Sequence, residues 1–160
     1  MGSANVELAR EYLRAVESMG PPENVSRFYS ADIEFHEFPN RIVPHRRVRR
    51  RADLQAAYGQ AQKLLSSQRY DVRCVIENGD EVAVELEWTG VLAVPIAAMN
   101  LPEGHEMKAY VAMFLTFRDG KIVSQRDYDC YPPFEAAVSN AAGAAGAAST
   151  SAPKAENGNG

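Results

Sequence analysis

Residues 119–129 of the chain read DGKIVSQRDYD, a turn signal followed at once by a segment of alternating side chains. The turn at Asp119-Gly120 joins an alternating segment at residues 108–117 to another at residues 122–131. A second turn, Asn78-Gly79-Asp80, joins segments near residues 70–76 and 81–91. Together these patterns predict a meander of four long antiparallel strands.

Apolar residues at helical spacing predict three helices before the meander. Ser3 is suited to cap the first helix, which ends at Gly20, and the other two helices are expected over residues 23–29 and 53–65. Between these two helices, the alternating side chains of residues 32–38 predict a short strand. This order predicts an α+β fold in which a cone-like, strongly curved antiparallel sheet and three N-terminal helices enclose a pocket.

Composition bounds the size and surroundings of this fold. The 160 residues are 46% hydrophobic with a formal net charge of −4, which suits one buried core and disfavours nucleic acid or anionic membrane as the main partner. We expect one domain over residues 1–134 and a disordered Ala/Gly/Ser-rich tail over residues 135–160, because the tail has too little apolar surface to offset ordering entropy. No apolar run is long enough to span a bilayer, and residues 1–20 do not resemble a signal peptide, so we expect a cytoplasmic location.

The sequence contains no metal or nucleotide motif, so no cofactor and no metal are expected. Cys74 and Cys130 lack metal-binding spacing and are expected to be reduced and packed. Six arginines in residues 41–51 are suited to phosphate or nucleic acid, but no aromatic residues are interleaved for base stacking. A solvated loop with intramolecular acidic partners is the preferred interpretation. Residues 93–106 predict a long loop of the kind that often binds ligand or acts as a lid.

The segment at residues 119–129 resembles the last hairpin of the SnoaL-like polyketide cyclases and of the limonene epoxide hydrolases, members of the nuclear-transport-factor-two-like superfamily. The resemblance covers nearly all of the folded part, since the helices and strands follow in the order of the family. It implies a cyclase or isomerase of secondary metabolism, such as antibiotic biosynthesis, that acts on a hydrophobic polyketide-like substrate and pairs as a homodimer. Because this fold also hosts proteins without chemistry, a non-catalytic ligand-binding or dimerisation domain remains the alternative.

The resemblance places Asp127 in the pocket as an acid or base. Alternation agrees: with Val123, Gln125 and Asp127 inward, the residues between them face outward. The outward set is Ile122, Ser124, Arg126 and Tyr128. A carboxyl in an apolar cavity has a raised pKa, which suits proton transfer near neutral pH. The alternative is a surface aspartate that balances Arg126.

The resemblance directs Phe35 and Glu37 to the same pocket. Glu37 is predicted as a second catalytic carboxyl, near enough to Asp127 to share a proton, with a solvent-exposed rim glutamate as the alternative. His36 faces the opposite way on strict alternation, unless a bend before Pro39 turns it toward substrate. Other expected substrate contacts are Tyr110, Met113 and Gln125.

On the second long strand, epoxide hydrolases of the family carry an arginine and an aspartate two residues apart. Here the corresponding inward positions are Leu86 and Trp88, which argues against epoxide hydrolysis and adds both to the predicted substrate contacts. Glu85 and Glu87 would then face outward, although a slip of one residue would reverse every facing. An apolar pocket of this kind promotes ring closure by holding a flexible substrate in its reactive conformation.

Overall fold

The computed structural model describes residues 3–134, so the tail predicted for residues 135–160 lies outside the described residues. Three helices come first or lie among the early strands: α1 (Ala4–Glu17), α2 (Pro22–Ser26) and α3 (Arg51–Leu64). Six strands form one sheet: β1 (Tyr29–Glu37), β2 (Arg47–Arg49), β3 (Leu65–Asn78), β4 (Glu81–Leu92), β5 (Glu106–Arg118) and β6 (Lys121–Cys130). The predicted α+β class is confirmed, with helix and strand ends displaced by up to about five residues.

The sheet is curved and open, with strand order β2-β1-β6-β5-β4-β3. Strands β3 to β6 form the predicted antiparallel meander, whereas β1 pairs with β6 in parallel and so departs from the all-antiparallel expectation. In this parallel pair Phe35 lies opposite Gln125 and Glu37 lies opposite Asp127. The first and last strands of the chain therefore bring their polar residues together.

The helices cover one side of the sheet, here called the inner face. Helix α1 begins after Ser3, whose Oγ accepts a hydrogen bond from the Val6 amide at 3.3 Å, as the capping pattern predicted. Its buried side chains pack against alternate apolar residues of the inner face. Those of β4 and β5 are Val82, Val84, Leu86, Ala109, Val111, Met113 and Leu115. Burial of each large aliphatic side chain contributes about 1.5–3 kcal/mol, so this layer fixes the facing of both strands.

A β-bulge sets the facing of β6. Phe117 pairs with Ile122 and Thr116 pairs with Ser124, which leaves Val123 as the extra residue. Ile122 is consequently buried in the core with 0% exposure, where strict alternation had predicted an outward position. Beyond the bulge the predicted phase holds, and Gln125 faces inward.

The edge strand β2, which was not predicted, lies within the arginine-rich segment at residues 41–51. Each of the six arginines of that segment has an intramolecular partner. Arg46 contacts His36, Arg47 and Arg49 contact Glu37, Arg50 contacts Glu34, and Arg41 and Arg51 bind the carbonyls of Tyr131 and Tyr29. Charged side chains along an edge strand also discourage pairing with other chains.

Two further expectations differ from the structure. The loop between β4 and β5 is anchored by Leu101, which is buried with Leu92 and Met107 in a second small core, and it does not cover the cavity described below. Cys74 and Cys130 are free thiols but exposed, not packed, because both lie on strand positions that face away from the helices. Within residues 3–134, no helix combines the length and the apolar character needed to cross a membrane.

Candidate active site

A cavity of about 220 Å³ lies on the inner face of the sheet, beside the last turns of α3. Its wall is mainly apolar and aromatic, with four charged side chains at one end. The aromatic members are Phe35, Tyr70, Trp88 and Tyr131, and the charged members are Glu37, Arg49, Asp127 and Asp129. Pockets for drug-sized ligands usually measure about 300–1,000 Å³. This cavity therefore suits a compact ring system or one part of a larger molecule.

Asp127 lies on β6 at the charged end of the cavity and is 9% exposed. The side-chain amide of Gln125 donates to both carboxyl oxygens, at 3.0 Å and 3.1 Å. Burial raises the pKa of Asp127 well above its ordinary value, and the negative charge of Asp129 raises it further. The hydrogen bond from Gln125 opposes this rise, because it favours the ionised carboxylate.

Asp129 also lines the cavity, two residues further along β6. Burial, and then the charge of Glu37, raise its pKa from 3.8 to about 6. This residue was not selected from the sequence, although the alternation that placed Asp127 inward extends to it directly. Both carboxyls therefore have pKa values above the ordinary aspartate value, which suits proton transfer near neutral pH.

Glu37 lines the cavity but makes no hydrogen bond to Asp127, which the predicted sharing of a proton would require. Its Oε2 atom lies 2.9 Å from Arg47 Nη2 and 3.0 Å from Arg49 Nη1, and its side chain is 13% exposed. These arginines come from β2, the strand that sequence patterns did not reveal. Glu37 is thus held by two cations, and the hydrogen-bond partner of Asp127 is Gln125.

Three of the predicted apolar contacts, Phe35, Trp88 and Met113, line the cavity. Trp88 Nε1 donates to Gln68 Oε1 at 3.0 Å, which fixes the indole ring against the wall. The ring meets Tyr131 edge to face, with centroids 6.3 Å apart. These contacts hold the largest apolar side chain of the site in one position.

Other predicted substrate contacts lie elsewhere. Leu86 faces inward and is 1% exposed, but it packs in the core and does not line the cavity. His36 faces the outer side of β1, where its Nδ1 lies 2.6 Å from Arg46 Nη2. Tyr110 is 54% exposed on the outer face. Strict alternation explains the outward positions of His36 and Tyr110, since each comes one residue after an inward-facing residue. Gln125 is buried behind Asp127 and acts on the site through its hydrogen bond to that carboxyl.

Tyrosine hydroxyls form a further group that sequence analysis missed. Tyr12 and Tyr29 are buried near Asp127 and Tyr70 is half-buried, and desolvation is the main cause of the raised pKa of each. No period or motif marks a buried hydroxyl, so only the assembled fold reveals this group. Among the described residues, no cluster of three His, Cys, Asp or Glu side chains is placed to hold a metal ion.

Comparisons with known proteins agree with this fold. IdmH of Streptomyces antibioticus, a proposed polyketide cyclase, superimposes with a TM-score of 0.66 at 18% identity, over 78% of this chain and 91% of that one. A Catenulispora acidiphila protein with a ketosteroid isomerase-like fold gives a TM-score of 0.61 at 16% identity, over 76% and 84% of the two chains. An LEH-like epoxide hydrolase of M. tuberculosis gives 0.60 at 14% identity, over 79% and 82%.

No curated protein sequence matches the chain. The model of the SnoaL-like domain family, in contrast, matches residues 9–125, from the middle of α1 to the buried glutamine of β6. The match spans most of the chain and ends two residues before Asp127. The chain therefore belongs to the SnoaL-like domain family.

Proposed function

We propose that the chain is a cofactor-independent enzyme that binds a compact hydrophobic, polyketide-like molecule and promotes its isomerisation or ring closure by proton transfer. One observation carries this proposal: Asp127 and Asp129 lie two positions apart on β6 and both line a mainly apolar cavity, where burial raises the pKa of each carboxyl. Carboxyls with raised pKa values can donate and accept protons near neutral pH, so that one acts as an acid and the other as a base.

The two carboxyls have distinct proposed roles. Asp129, with a pKa of about 6, is mostly ionised at neutral pH and acts as the base. Asp127 is more deeply buried and lies beside that negative charge, so it keeps its proton to higher pH and acts as the acid.

In the proposed reaction Asp129 removes a proton from a carbon next to a substrate carbonyl, and Asp127 protonates the carbonyl oxygen. The product of this step is an enol. Return of a proton to a different carbon completes an isomerisation. Attack of the enol carbon on a second carbonyl of the same molecule instead forms the carbon–carbon bond of a ring, and the two protons move back through the same pair. Positioned acid or base catalysis of this kind contributes about 10²–10⁴ in rate.

The rest of the cavity supports binding and orientation. Trp88, Phe35 and Met113 offer apolar contact to a ring system, and a fixed wall reduces the entropy lost on reaching the reactive geometry. Arg49 supplies a positive charge at the same end of the cavity as both aspartates, where oxygen atoms of the substrate gain negative charge.

The comparisons support a cyclase more than a hydrolase. The shared fold with IdmH fits ring closure within secondary metabolism, such as antibiotic biosynthesis, and we propose the same setting, in the cytoplasm, for this chain. The epoxide hydrolase has the same fold. However, Leu86 and Trp88 stand on β4 at the positions where the resemblance to the epoxide hydrolases implies an arginine and an aspartate that polarise an epoxide, so we do not propose epoxide hydrolysis.

We also propose a homodimer that pairs through the outer face of the sheet. Three large apolar side chains are exposed there or at its margin: Ile76 at 63%, Tyr110 at 54% and Tyr128 at 44%. Phe38 stacks on Tyr128 with centroids 4.3 Å apart, which extends the aromatic surface. Exposed apolar patches of this kind commonly mark protein interfaces.

The function can be tested with 2-tetralone, a compact aromatic ketone that enolises. Trp88 is the single tryptophan of the chain and lines the cavity, so quenching of its fluorescence measures binding. Deuterium uptake from D₂O at the carbon next to the carbonyl, followed by NMR, measures proton transfer. We expect the native protein to bind 2-tetralone and to accelerate its exchange.

Asp127→Asn should keep the quenching but slow the exchange by about 100-fold or more. The matched control is Asp119→Asn, which makes the same substitution at an exposed turn residue whose φ of 52° asparagine also tolerates. Quenching without exchange in the native protein would refute the enzymatic proposal and favour a non-catalytic ligand-binding domain.

A further inference from the structure

A continuous chain of buried hydrogen bonds connects Asp127 to the opposite wall of the core. Tyr29 and Tyr12 hydroxyls lie 2.8 Å apart, and the Tyr12 hydroxyl donates to Gln125 Oε1 at 2.9 Å. Gln125 Nε2 completes the chain by donating to the Asp127 carboxyl. All four residues are between 1% and 9% exposed, so water does not compete for these groups.

The chain has a fixed direction. A side-chain amide oxygen only accepts hydrogen bonds, so the single hydroxyl proton of Tyr12 is committed to Gln125. The proton between the two tyrosines must then come from Tyr29, which makes Tyr29 the donor to Tyr12. The order of donation is Tyr29 to Tyr12, Tyr12 to Gln125, and Gln125 to Asp127.

We propose that Gln125 is the positioning residue of Asp127 and that the Tyr29–Tyr12 pair keeps its amide in the orientation that donates to the carboxyl. Without the Tyr12 hydroxyl, the Gln125 oxygen loses the donor that holds it away from the carboxyl, and the amide can rotate by half a turn whenever Asp127 is protonated. Its oxygen would then face the carboxyl and stabilise only the protonated form. The tyrosines of α1 and β1 thus preserve the ability of a deeply buried aspartate to ionise.

This inference rests on the proposed function, in which Asp127 carries a proton during the reaction. Other groups also act on Asp127. Asp129 lies beside it on β6, Glu37 faces it from β1 with Arg47 and Arg49 attached, and Tyr70 and Tyr131 face it from β3 and the segment after β6. Among these, no group is hydrogen-bonded to Tyr12, so removal of the Tyr12 hydroxyl leaves them in place.

The test is a carbon-13 NMR titration of the Asp127 carboxyl in the full chain, with the signal assigned by its loss in Asp127→Asn. Tyr12→Phe removes the donor to Gln125 and should raise the titration midpoint of Asp127 by about one pH unit. Gln125→Leu removes the amide itself and should raise the midpoint at least as far. The matched control is Tyr58→Phe, which deletes a buried hydroxyl that has no hydrogen-bond partner and should leave the midpoint unchanged.

The proposal would be overturned if the Asp127 carboxyl titrated with the same midpoint in Tyr12→Phe as in the native protein and in Tyr58→Phe. A merely structural role of the chain would lower the unfolding temperature of Tyr12→Phe without moving the midpoint. If Tyr12→Phe does not fold, an unchanged midpoint in Gln125→Leu would overturn the proposal, because that variant removes the N–H donation to Asp127 outright. The titration needs no substrate, so a shifted midpoint beside absent exchange of 2-tetralone would refute the proposed function and leave the positioning role standing.

Discussion

The substitution Asp129→Asn should stabilise the protein at neutral and alkaline pH. The folded state holds the pKa of Asp129 at about 6, against 3.8 for an exposed aspartate, because burial and Glu37 disfavour its charge. A carboxyl whose pKa is raised by folding binds a proton more tightly in the folded than in the unfolded state. It therefore costs little stability below about pH 4 and progressively more as the pH rises through 6.

The size of the effect follows from the two pKa values. A shift from 3.8 to about 6 corresponds to roughly 3 kcal/mol once the folded group is fully ionised, at about 1.4 kcal/mol for each unit. Roughly 1 kcal/mol of this cost is already present at about pH 4.5, since the unfolded group is mostly ionised there. The amide that replaces the carboxyl carries no charge, so the stability advantage of the variant should grow by about 2 kcal/mol between about pH 4.5 and pH 8.

Urea unfolding followed by Trp88 fluorescence at these two pH values measures the difference directly. Glu103→Gln removes a negative charge from an exposed loop position and serves as the control, with no pH-dependent change expected. An advantage of Asp129→Asn that is equal at both pH values, or larger at the lower one, would refute the claim that burial raises this pKa. The more stable Asp129→Asn variant should also lose proton exchange with 2-tetralone, because the ionised carboxylate that lowers stability is the proposed base.

Three other predictions follow from the geometry. Gly90→Ala should displace the indole ring, because a Cβ at this position would lie 2.6 Å from Trp88 Cη2. The Kd for 2-tetralone, measured by quenching, should rise at least tenfold. Gly59→Ala is the control: a Cβ there meets open space, so Kd should not change. Leu86→Ala should lower the free energy of unfolding by about 2–5 kcal/mol while the folded variant binds 2-tetralone normally, since this side chain packs in the core. Tyr128→Glu should convert the proposed dimer to a monomer, and a native protein that sediments as a monomer at micromolar concentration would contradict that proposal.

Much of the fold was predictable because local patterns determine it. The helical stripe after Ser3 and the turns at Gly79 and Gly120 each depend on residues within a few positions of one another. The inward positions of Leu86 and Trp88 were taken from the register of the family resemblance, and the regular alternation of β4 agrees with them. Such features require no knowledge of which distant segment lies alongside.

Features that depend on distant pairing were not predictable. The direction of β1 against β6 is set by the closure of the whole chain, and neither strand carries a local mark of it. The pairing of Glu37 with arginines of β2 likewise needed a three-residue edge strand, too short to show a period. A bulge at Val123 reversed the facing of Ile122, because one extra residue is enough to exchange the two faces of a strand.

Within the site, Asp127 was accessible to sequence reasoning and its partners were not. Asp129 was missed although the same alternation includes it, because the family resemblance assigns an acid or base role only to Asp127. Gln125 was expected to contact substrate, but its amide turns to Asp127 and Tyr12, an orientation that only the packing of α1 against the sheet determines. His36 and Tyr110 were given roles that their strand parity does not support.

The central claim, that the cavity holds two neighbouring carboxyls of separated acidity, is tested most directly by carbon-13 NMR titration of the native protein. Asp127→Asn and Asp129→Asn assign the two signals. We expect Asp129 to titrate with a midpoint near 6 and Asp127 to keep its proton to higher pH. Titration of both groups near the ordinary aspartate value of 3.8 would contradict the claim.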